Sequence, residues 1–528
     1  MRIFETIRAG PRVDCTGGRP TGEVFAGRAG ERPRPVVAMI KFGTDGWRGV
    51  IAKDFTYENI WKAACAIVRY VADSAEGHEP KLLIGYATRF RSDEFAKLCA
   101  LAAKQHGVQV LISSHFTTTP SISYATNHMK ADGAIMITAS HNPPRFDGVK
   151  FKGPYGGSAT TSITGEIEAQ LHAVEKDPPP MPDVMFEDAV EPGMIDYFDP
   201  MPEYVDKVVS MVTADVIPAS QFKILFDPMY GAGQGVMPAA LAKLGMECDQ
   251  IHAVHNPLFP GLLPEPIGDN LNDLKKAVTE GGYSVGIAVD GDADRVTAID
   301  ATGRFISSHF VLALMLKHLV EVRHWTGDVV KTVSTTSMID MLCEKYGRRL
   351  YVVPVGFKYI ADLMLEEDIL CGGEESGGTG MKNYIPERDG VLIGLMLIEI
   401  MATNNKTLGE LADELMDELG RRFVYLRKDI ELTQAHKEAL LKDLHEISPQ
   451  SIGGLKITNV ETIDGMKFHR EDGSWLMLRV SGTEPMVRVY AEATSEQAVE
   501  ELVGEGVKLI AKVDPTGGVA GGGRTEHE

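Results

Sequence analysis

Six cysteines in 528 residues are too few and too scattered for a disulfide framework. Cys15, Cys65, Cys99, Cys248, Cys343 and Cys371 form no C-x-x-C pair and follow no apolar signal core, so reduced thiols and a cytoplasmic location are expected. Long apolar runs are missing too. Those at 310–316 and 391–398 fall far short of the roughly 20 residues a bilayer span needs, which predicts no membrane-crossing part. Positive charge is in deficit: 53 Lys and Arg against 74 Asp and Glu give a net charge of -21. A nucleic-acid or anionic-membrane partner would require a basic face, and neither is expected. What is present is ordinary for a globular protein, with 44% hydrophobic and 24% charged residues and a mean hydropathy of -0.08, which excludes disordered and fibrous classes.

The length suits roughly three to five domains. Residues 1–38 are rich in Gly, Arg and Pro, and their seven Arg and four acidic residues make them +3, leaving -24 for the rest. They are expected to be a disordered extension, with the patterned protein beginning at Met39, a candidate native start that intact mass would check. Beyond it, spacing predicts a helix over 60–71, a strand at 82–86, a helix over 95–103, a strand at 108–112, a helix opened by Thr119-Pro120 and a strand at 134–137. The Pro-rich stretch 178–202 reads as a linker. A second unit runs from a strand at 223–226 through Gly231, Gly233 and Gly235 to a strand at 285–289. A third holds a helix over 309–320 and strands at 329–333 and 351–353. This alternation predicts three α/β units with mixed, mostly parallel sheets, repeated in element order without a strict sequence period. Strand-like runs at 424–428, 455–459, 475–480 and 487–493, with helices near 434–446 and 495–511, predict a C-terminal α+β unit with a largely antiparallel sheet. The units are placed at 39–195, 196–301, 302–421 and 422–514, followed by a flexible tail at 515–528.

Four stretches carry chemistry. The apolar run 134–137 stops at Thr138-Ala139-Ser140-His141-Asn142-Pro143-Pro144, where the Pro pair prevents helix or ladder from continuing. A serine on a loop at the end of a buried strand is either a turn residue or a nucleophile or phosphate carrier with His141 beside it. Asp290-Gly291-Asp292-Ala293-Asp294-Arg295 follows the strand at 285–289 directly, and alternate carboxylates in an extended loop can converge on a hard cation. An EF-hand loop is excluded by Arg295 and Ala301 at its sixth and twelfth positions, which leaves a magnesium or manganese site or a solvated acidic turn. Gly372-Gly373-Glu374-Glu375-Ser376-Gly377-Gly378 is a sugar-hydroxyl loop or an acidic turn. Arg479-Val480-Ser481-Gly482-Thr483-Glu484-Pro485, with Arg488 beyond, is a phosphate nest, a structural turn between strands, or both. Arg48, in Gly46-Trp47-Arg48-Gly49, and Arg89 with Arg91 are candidate cations or surface ion-pair partners.

In this order the motifs resemble those of the α-D-phosphohexomutase superfamily, the phosphoglucomutases and phosphomannomutases, over about residues 42–495. The resemblance implies three α/β domains and a fourth of different fold around a central cleft. It also implies that Ser140 carries a phosphoryl group and that one magnesium ion is held by this phosphate with Asp290, Asp292 and Asp294. The implication is physically coherent, because a phosphoserine of about -1.5 to -2 charge beside three carboxylates requires a cation. Lys150 matches a family general acid/base, and Arg48 an arginine near the phosphoserine. His141 either transfers a proton or orients the loop by a hydrogen bond. Arg295 adds positive charge at the transferring group. Glu374 and Ser376 are implied contacts of sugar hydroxyls, Lys358 of sugar or phosphate, and Arg479, Ser481, Gly482, Thr483 and Arg488 of the distant phosphate. A hexose 1,6-bisphosphate is the implied intermediate and activator.

The chain departs from the pattern in three places. Ala87 precedes Thr88-Arg89 where many relatives have Asp, Gly378 follows Ser376-Gly377 where several phosphomannomutase-type members have His, and Phe357 stands where they often have His. The last two shift the expectation from mannose toward glucose. The expected activity is that of a phosphoglucomutase, with a phosphomannomutase or dual-specificity enzyme and a phosphoglucosamine mutase as alternatives. A non-catalytic sugar-phosphate-binding regulator would have lost the serine or a metal ligand, and a serine hydrolase would set its serine in G-x-S-x-G. Hexose phosphates are the expected partners of a monomer or weak homodimer.

Overall fold

The computed structural model describes residues 40–43, 46–482, 485–513 and 524–527. The expected N-terminal extension and Thr483 lie outside the described residues. Local chemistry starts the first unit: the Thr56 hydroxyl accepts from Asn59 N and caps the helix Tyr57–Ser74, whose face of Ile60, Ala63, Ala64, Ile67 and Val71 is buried. Small residues on that face let the helix pack closely against Ser92–Gln105 and Thr161–Lys176. The sheet beside them runs Trp47–Val50, Phe146–Gly153, Gly133–Ile137, Lys81–Tyr86, Gln109–Ser113, Ile195–Phe198. Its last four strands are parallel and the first two antiparallel to their neighbours. The stretch read as a linker therefore supplies an edge strand, because Ile195 is fully buried.

The second sheet is ordered Phe305–Ile306, Val296–Asp300, Val285–Val289, Ile224–Asp227, Cys248–Gln250, and the third Leu350–Val353, Asp328–Thr332, Ile369–Gly373, Thr379–Met381. Both are mixed, as expected. A common plan links the three sheets. In each, one parallel strand turns back through a short loop into an antiparallel neighbour: Gly133–Ile137 into Phe146–Gly153, Val285–Val289 into Val296–Asp300, and Ile369–Gly373 into Thr379–Met381. Those three loops hold Ser140, the Asp290–Arg295 carboxylates and Glu374. The expected boundary at residue 301 falls before Phe305–Ile306, the edge strand of the second sheet, and the second and third units share one core. The helix Gly390–Asn404, capped by the Asp389 side chain on Leu392 N, is buried between them, and its Gly394 lies against Met237 and Ile287.

The fourth sheet is antiparallel throughout, in the order Ser451–Ile452, Leu455–Glu461, Met466–Arg470, Trp475–Val480, Met486–Ala493, Val424–Glu431, Arg524–His527. Its last strand comes from the segment expected to fray; backbone pairing such as Leu426 with His527 places it. Glu492 Oε1 accepts from Ser337 N at 3.1 Å, and Lys467 Nζ donates to Val333 O at 2.7 Å, joining this unit to the third. No single helix among the described residues is long and apolar enough to cross a membrane.

Candidate active site

Ser140 sits where the strand Gly133–Ile137 has ended, in a left-handed backbone conformation with φ 50°. Its N–H donates to Thr138 Oγ1 at 3.0 Å, and its hydroxyl donates to Asp290 Oδ2 at 2.6 Å, across 150 residues of sequence. His141 Nδ1 lies 3.3 Å from the same hydroxyl. Burial, with the nearby cations Arg295, Arg48, Arg427 and Arg488, holds His141 well below its usual pKa, so the imidazole is neutral. The Asp290–Arg295 loop presses directly on the serine loop: a Cβ added to Gly291 would lie 2.4 Å from Ser140 O. Arg48 Nη1 donates to Asn142 Oδ1 at 2.7 Å, a direct contact with the serine loop two residues beyond Ser140.

The three aspartates converge as their spacing predicts. One oxygen from each lies within 4.8 Å of the others, and all three residues are buried. Asp290 Oδ1 accepts from the N–H groups of Asp294 and Arg295 at 3.0 and 3.1 Å. Thr119 Oγ1 donates to Asp292 Oδ2 at 2.7 Å, and Lys150 Nζ donates to Asp292 Oδ2 and Asp294 Oδ2 at 2.9 and 3.1 Å. Burial and the neighbouring Asp294 and Asp292 push the Asp290 carboxyl far above its normal range. Burial acts the same way on Asp292, but Lys150 and Thr119 outweigh it and hold that carboxyl low. Asp292 Oδ1 and Asp294 Oδ1 remain buried without a hydrogen-bond partner. Buried carboxylate oxygens that lack donors and crowd one another fit a divalent cation bound through oxygen.

Arg388 is the residue that motif reading misses. Its Nη2 donates to Asp294 Oδ2 at 2.7 Å and its Nη1 to Glu374 Oε2 at 3.1 Å, tying the Asp290–Arg295 loop to the loop at 372–378. The two loops also meet in a backbone bridge between Arg295 and Gly378. The departures at 357 and 378 belong to the same contact. Arg388 lies over the Phe357 ring at 5.4 Å, and a Cβ at Gly378 would fall 2.3 Å from Arg388 Cδ. The available signal was the charged run Glu387-Arg388-Asp389 immediately before an apolar helix. Glu265 is also unanticipated; its carboxylate lies 3.5 Å from Arg295 Nη1 and 4.0 Å from His141 Nε2.

Other candidates stand further out. Glu375 Oε2 accepts from Ser334 Oγ at 2.6 Å, and Ser376 is half-buried beside it. Lys358 is half-buried on the helix Phe357–Glu366, its Nζ 4.9 Å from the Tyr359 ring centre, and no described contact joins it to the acidic centre. In the fourth unit Arg479 and Arg488 are cross-strand neighbours; Arg479 Nε donates to Asp464 Oδ2 at 2.7 Å, and Arg488 Nε lies 3.6 Å from Asp429 Oδ2. Ser481 N donates to Met486 O at 2.9 Å, and Gly482 O accepts from Lys437 Nζ at 3.2 Å. Arg427, absent from the motif reading, forms a bidentate pair with Asp429 at 2.8 and 2.6 Å. Arg91 faces solvent and pairs with Glu94.

Three α/β units that turn equivalent loops onto one acidic centre, closed by an antiparallel fourth, define an α-D-phosphohexomutase, an isomerase of sugar phosphates. Family models for phosphoglucomutase/phosphomannomutase match in sequence order: α/β/α domain I at 39–178, domain II at 202–303, domain III at 307–419 and the C-terminal domain at 428–508. A phosphoglucomutase/phosphomannomutase of Thermococcus kodakarensis is 30% identical over 472 residues, covering 89% of this chain and 98% of its own. A phosphoglucosamine mutase of Acetivibrio thermocellus is 30% identical over 486 residues with the same coverage. The crystal structure of a protein assigned as a phosphomannomutase from Thermus thermophilus superposes with a TM-score of 0.78 at 32% identity, covering 90% of this chain and 99% of that one. The chain belongs to the phosphoglucomutase/phosphomannomutase family.

Proposed function

We propose that the protein interconverts glucose 1-phosphate and glucose 6-phosphate, carrying the phosphoryl group on Ser140. The observation that carries this reading is the Ser140 hydroxyl held 2.6 Å from Asp290, at the edge of a carboxylate cluster with two unpartnered oxygens. Asp290, Asp292 and Asp294, with the serine phosphate, are the proposed ligands of magnesium, which neutralises charge on the transferring group.

In the forward half-reaction the bond from phosphorus to Ser140 Oγ breaks as a bond to a sugar hydroxyl oxygen forms. The hydroxyl proton passes to a base, and neutral His141, 3.3 Å from Ser140 Oγ, is the proposed acceptor. Lys150, expected as the acid/base, donates to two carboxylates, Asp292 and Asp294, and offsets their charge, while the protonated His141 returns the proton in the reverse step. The resulting hexose 1,6-bisphosphate turns round and gives its other phosphate back to Ser140. Arg479, Ser481, Gly482, Thr483 and Arg488 are the proposed grip on whichever phosphate is not reacting, with Lys358, Glu374 and Ser376 on the sugar. Arg295 stabilises charge at the reacting end.

Loss of both expected histidines around the sugar loop favours glucose over mannose. Glucosamine phosphate is the second reading, supported by a relative of that name at the same 30% identity. A competition assay with the 1-phosphates of glucose, mannose and glucosamine, with magnesium and a trace of glucose 1,6-bisphosphate, decides between them. The expected result is the highest kcat/KM for glucose, and preferred turnover of either other sugar would overturn the assignment. The proposed location is the cytoplasm, which the scattered cysteines without a C-x-x-C pair support.

A further inference from the structure

Ala87-Thr88-Arg89 follows the strand Lys81–Tyr86, where the first unit meets the second. The Thr88 hydroxyl donates to Tyr230 O at 3.0 Å, and Thr88 O lies 3.1 Å from His255 Nε2. Arg89 is buried. Its guanidinium makes four hydrogen bonds, all to backbone carbonyls of the serine loop and the first residue of the strand after it: Nη2 to Ser140 O and Asn142 O at 2.6 Å each, and Nη1 to Pro143 O and Phe146 O at 3.0 and 2.9 Å. From the second unit the Phe259 ring approaches to 5.1 Å of the guanidinium carbon. Ser140 itself holds a backbone conformation that non-glycine residues seldom adopt, so the surrounding structure must over-determine it.

We infer that Arg89 is a positioning residue that fixes Ser140 in its left-handed conformation and sets the serine loop in register with the metal loop. The planar guanidinium suits this task because it directs fixed donors at four separated acceptors, whereas an ammonium radiates three donors from one point. Phe259 ties the same group to the unit that carries Asp290, so the spacing between phosphoryl carrier and carboxylates depends on one side chain. The catalytic part of this inference rests on Ser140 being the phosphoryl carrier.

The test uses the full chain with Arg89→Lys and Arg89→Met. Arg89→Lys keeps the buried charge and is expected to fold with an unchanged circular dichroism spectrum. Its kcat should fall roughly 100-fold, as small displacements of a reacting group do, while KM for glucose 1-phosphate stays within about threefold. Amide hydrogen exchange across 138–146 should accelerate while the strand Lys81–Tyr86 keeps wild-type protection. Wild-type kcat in Arg89→Lys, or exchange across 138–146 unchanged, overturns the inference; a general loss of protection throughout the first unit does so too, by reducing Arg89 to a fold-wide prop. Arg89→Met should show the larger effect, and if it fails to fold Arg89→Lys alone decides. The exchange measurement needs no substrate. Absence of wild-type turnover would therefore defeat the proposed function while still leaving the role of Arg89 decided.

Discussion

Ser140→Ala removes the only atom proposed to carry phosphate, so turnover should fall by on the order of 10³ or more. Intact mass should show that this variant takes up no phosphate from glucose 1,6-bisphosphate where the wild type takes up one group. Thr119 acts one step back, through its 2.7 Å bond to Asp292. With Asp292 as a proposed magnesium ligand, Thr119→Val should raise the magnesium concentration for half-maximal activity roughly 10-fold, since partners of metal ligands typically contribute that much. The aspartates were legible from sequence because a spacing of two in one short loop brings carboxylates together whatever the rest of the chain does. Arg388 was not, since its partner Asp294 lies 94 residues away.

The helix Gly390–Asn404 shows how one polar residue can belong in a buried element. Glu399, 1% exposed, accepts from His318 Nε2 at 2.8 Å, from Arg323 Nε at 2.8 Å and Nη2 at 2.6 Å, and from Thr213 N at 2.9 Å. Burial alone would raise its pKa, but the bonds from His318 and Arg323 dominate and lower it to about 2. A carboxyl depressed in the folded state stabilises fully above its unfolded pKa near 4.5 and loses that contribution as pH falls toward 2. The difference in urea midpoint between wild type and Glu399→Gln should therefore be large at pH 6 and shrink steadily below pH 4.5. The strand Phe146–Gly153 shows why some elements escape the sequence. Asp147, Lys150 and Lys152 give it the pattern of a surface segment, yet all three are buried and paired with Ser92, with Asp292 and Asp294, and with Glu387. Periodicity recognises apolar burial and is blind to charges whose partners lie far along the chain.

Across the molecule, Lys152 and Glu387 join the first unit to the third through a fully buried contact of 2.5 Å, with Ser123 Oγ donating to Glu387 Oε2 at 3.0 Å. Removing one partner leaves an uncompensated charge, so Glu387→Gln should lower the unfolding free energy by about 3–5 kcal/mol. The double variant Lys152→Met/Glu387→Leu should recover part of it in the same urea titration, because it removes both desolvated charges together.

The sequence by itself determined the order of the units, the mixed α/β character of three of them, the antiparallel character of the fourth and the four loops proposed to carry the chemistry. Each of these follows from interactions within a few residues: strand and helix periodicity, turn-forming prolines, and carboxylates spaced by two. Only the tertiary structure decided that the stretch after residue 178 returns to the first sheet and that the second and third units share a core. It also decided that Arg388 and Arg89 knit the loops together. Those facts depend on contacts between groups far apart in the chain, and such contacts leave no period to read.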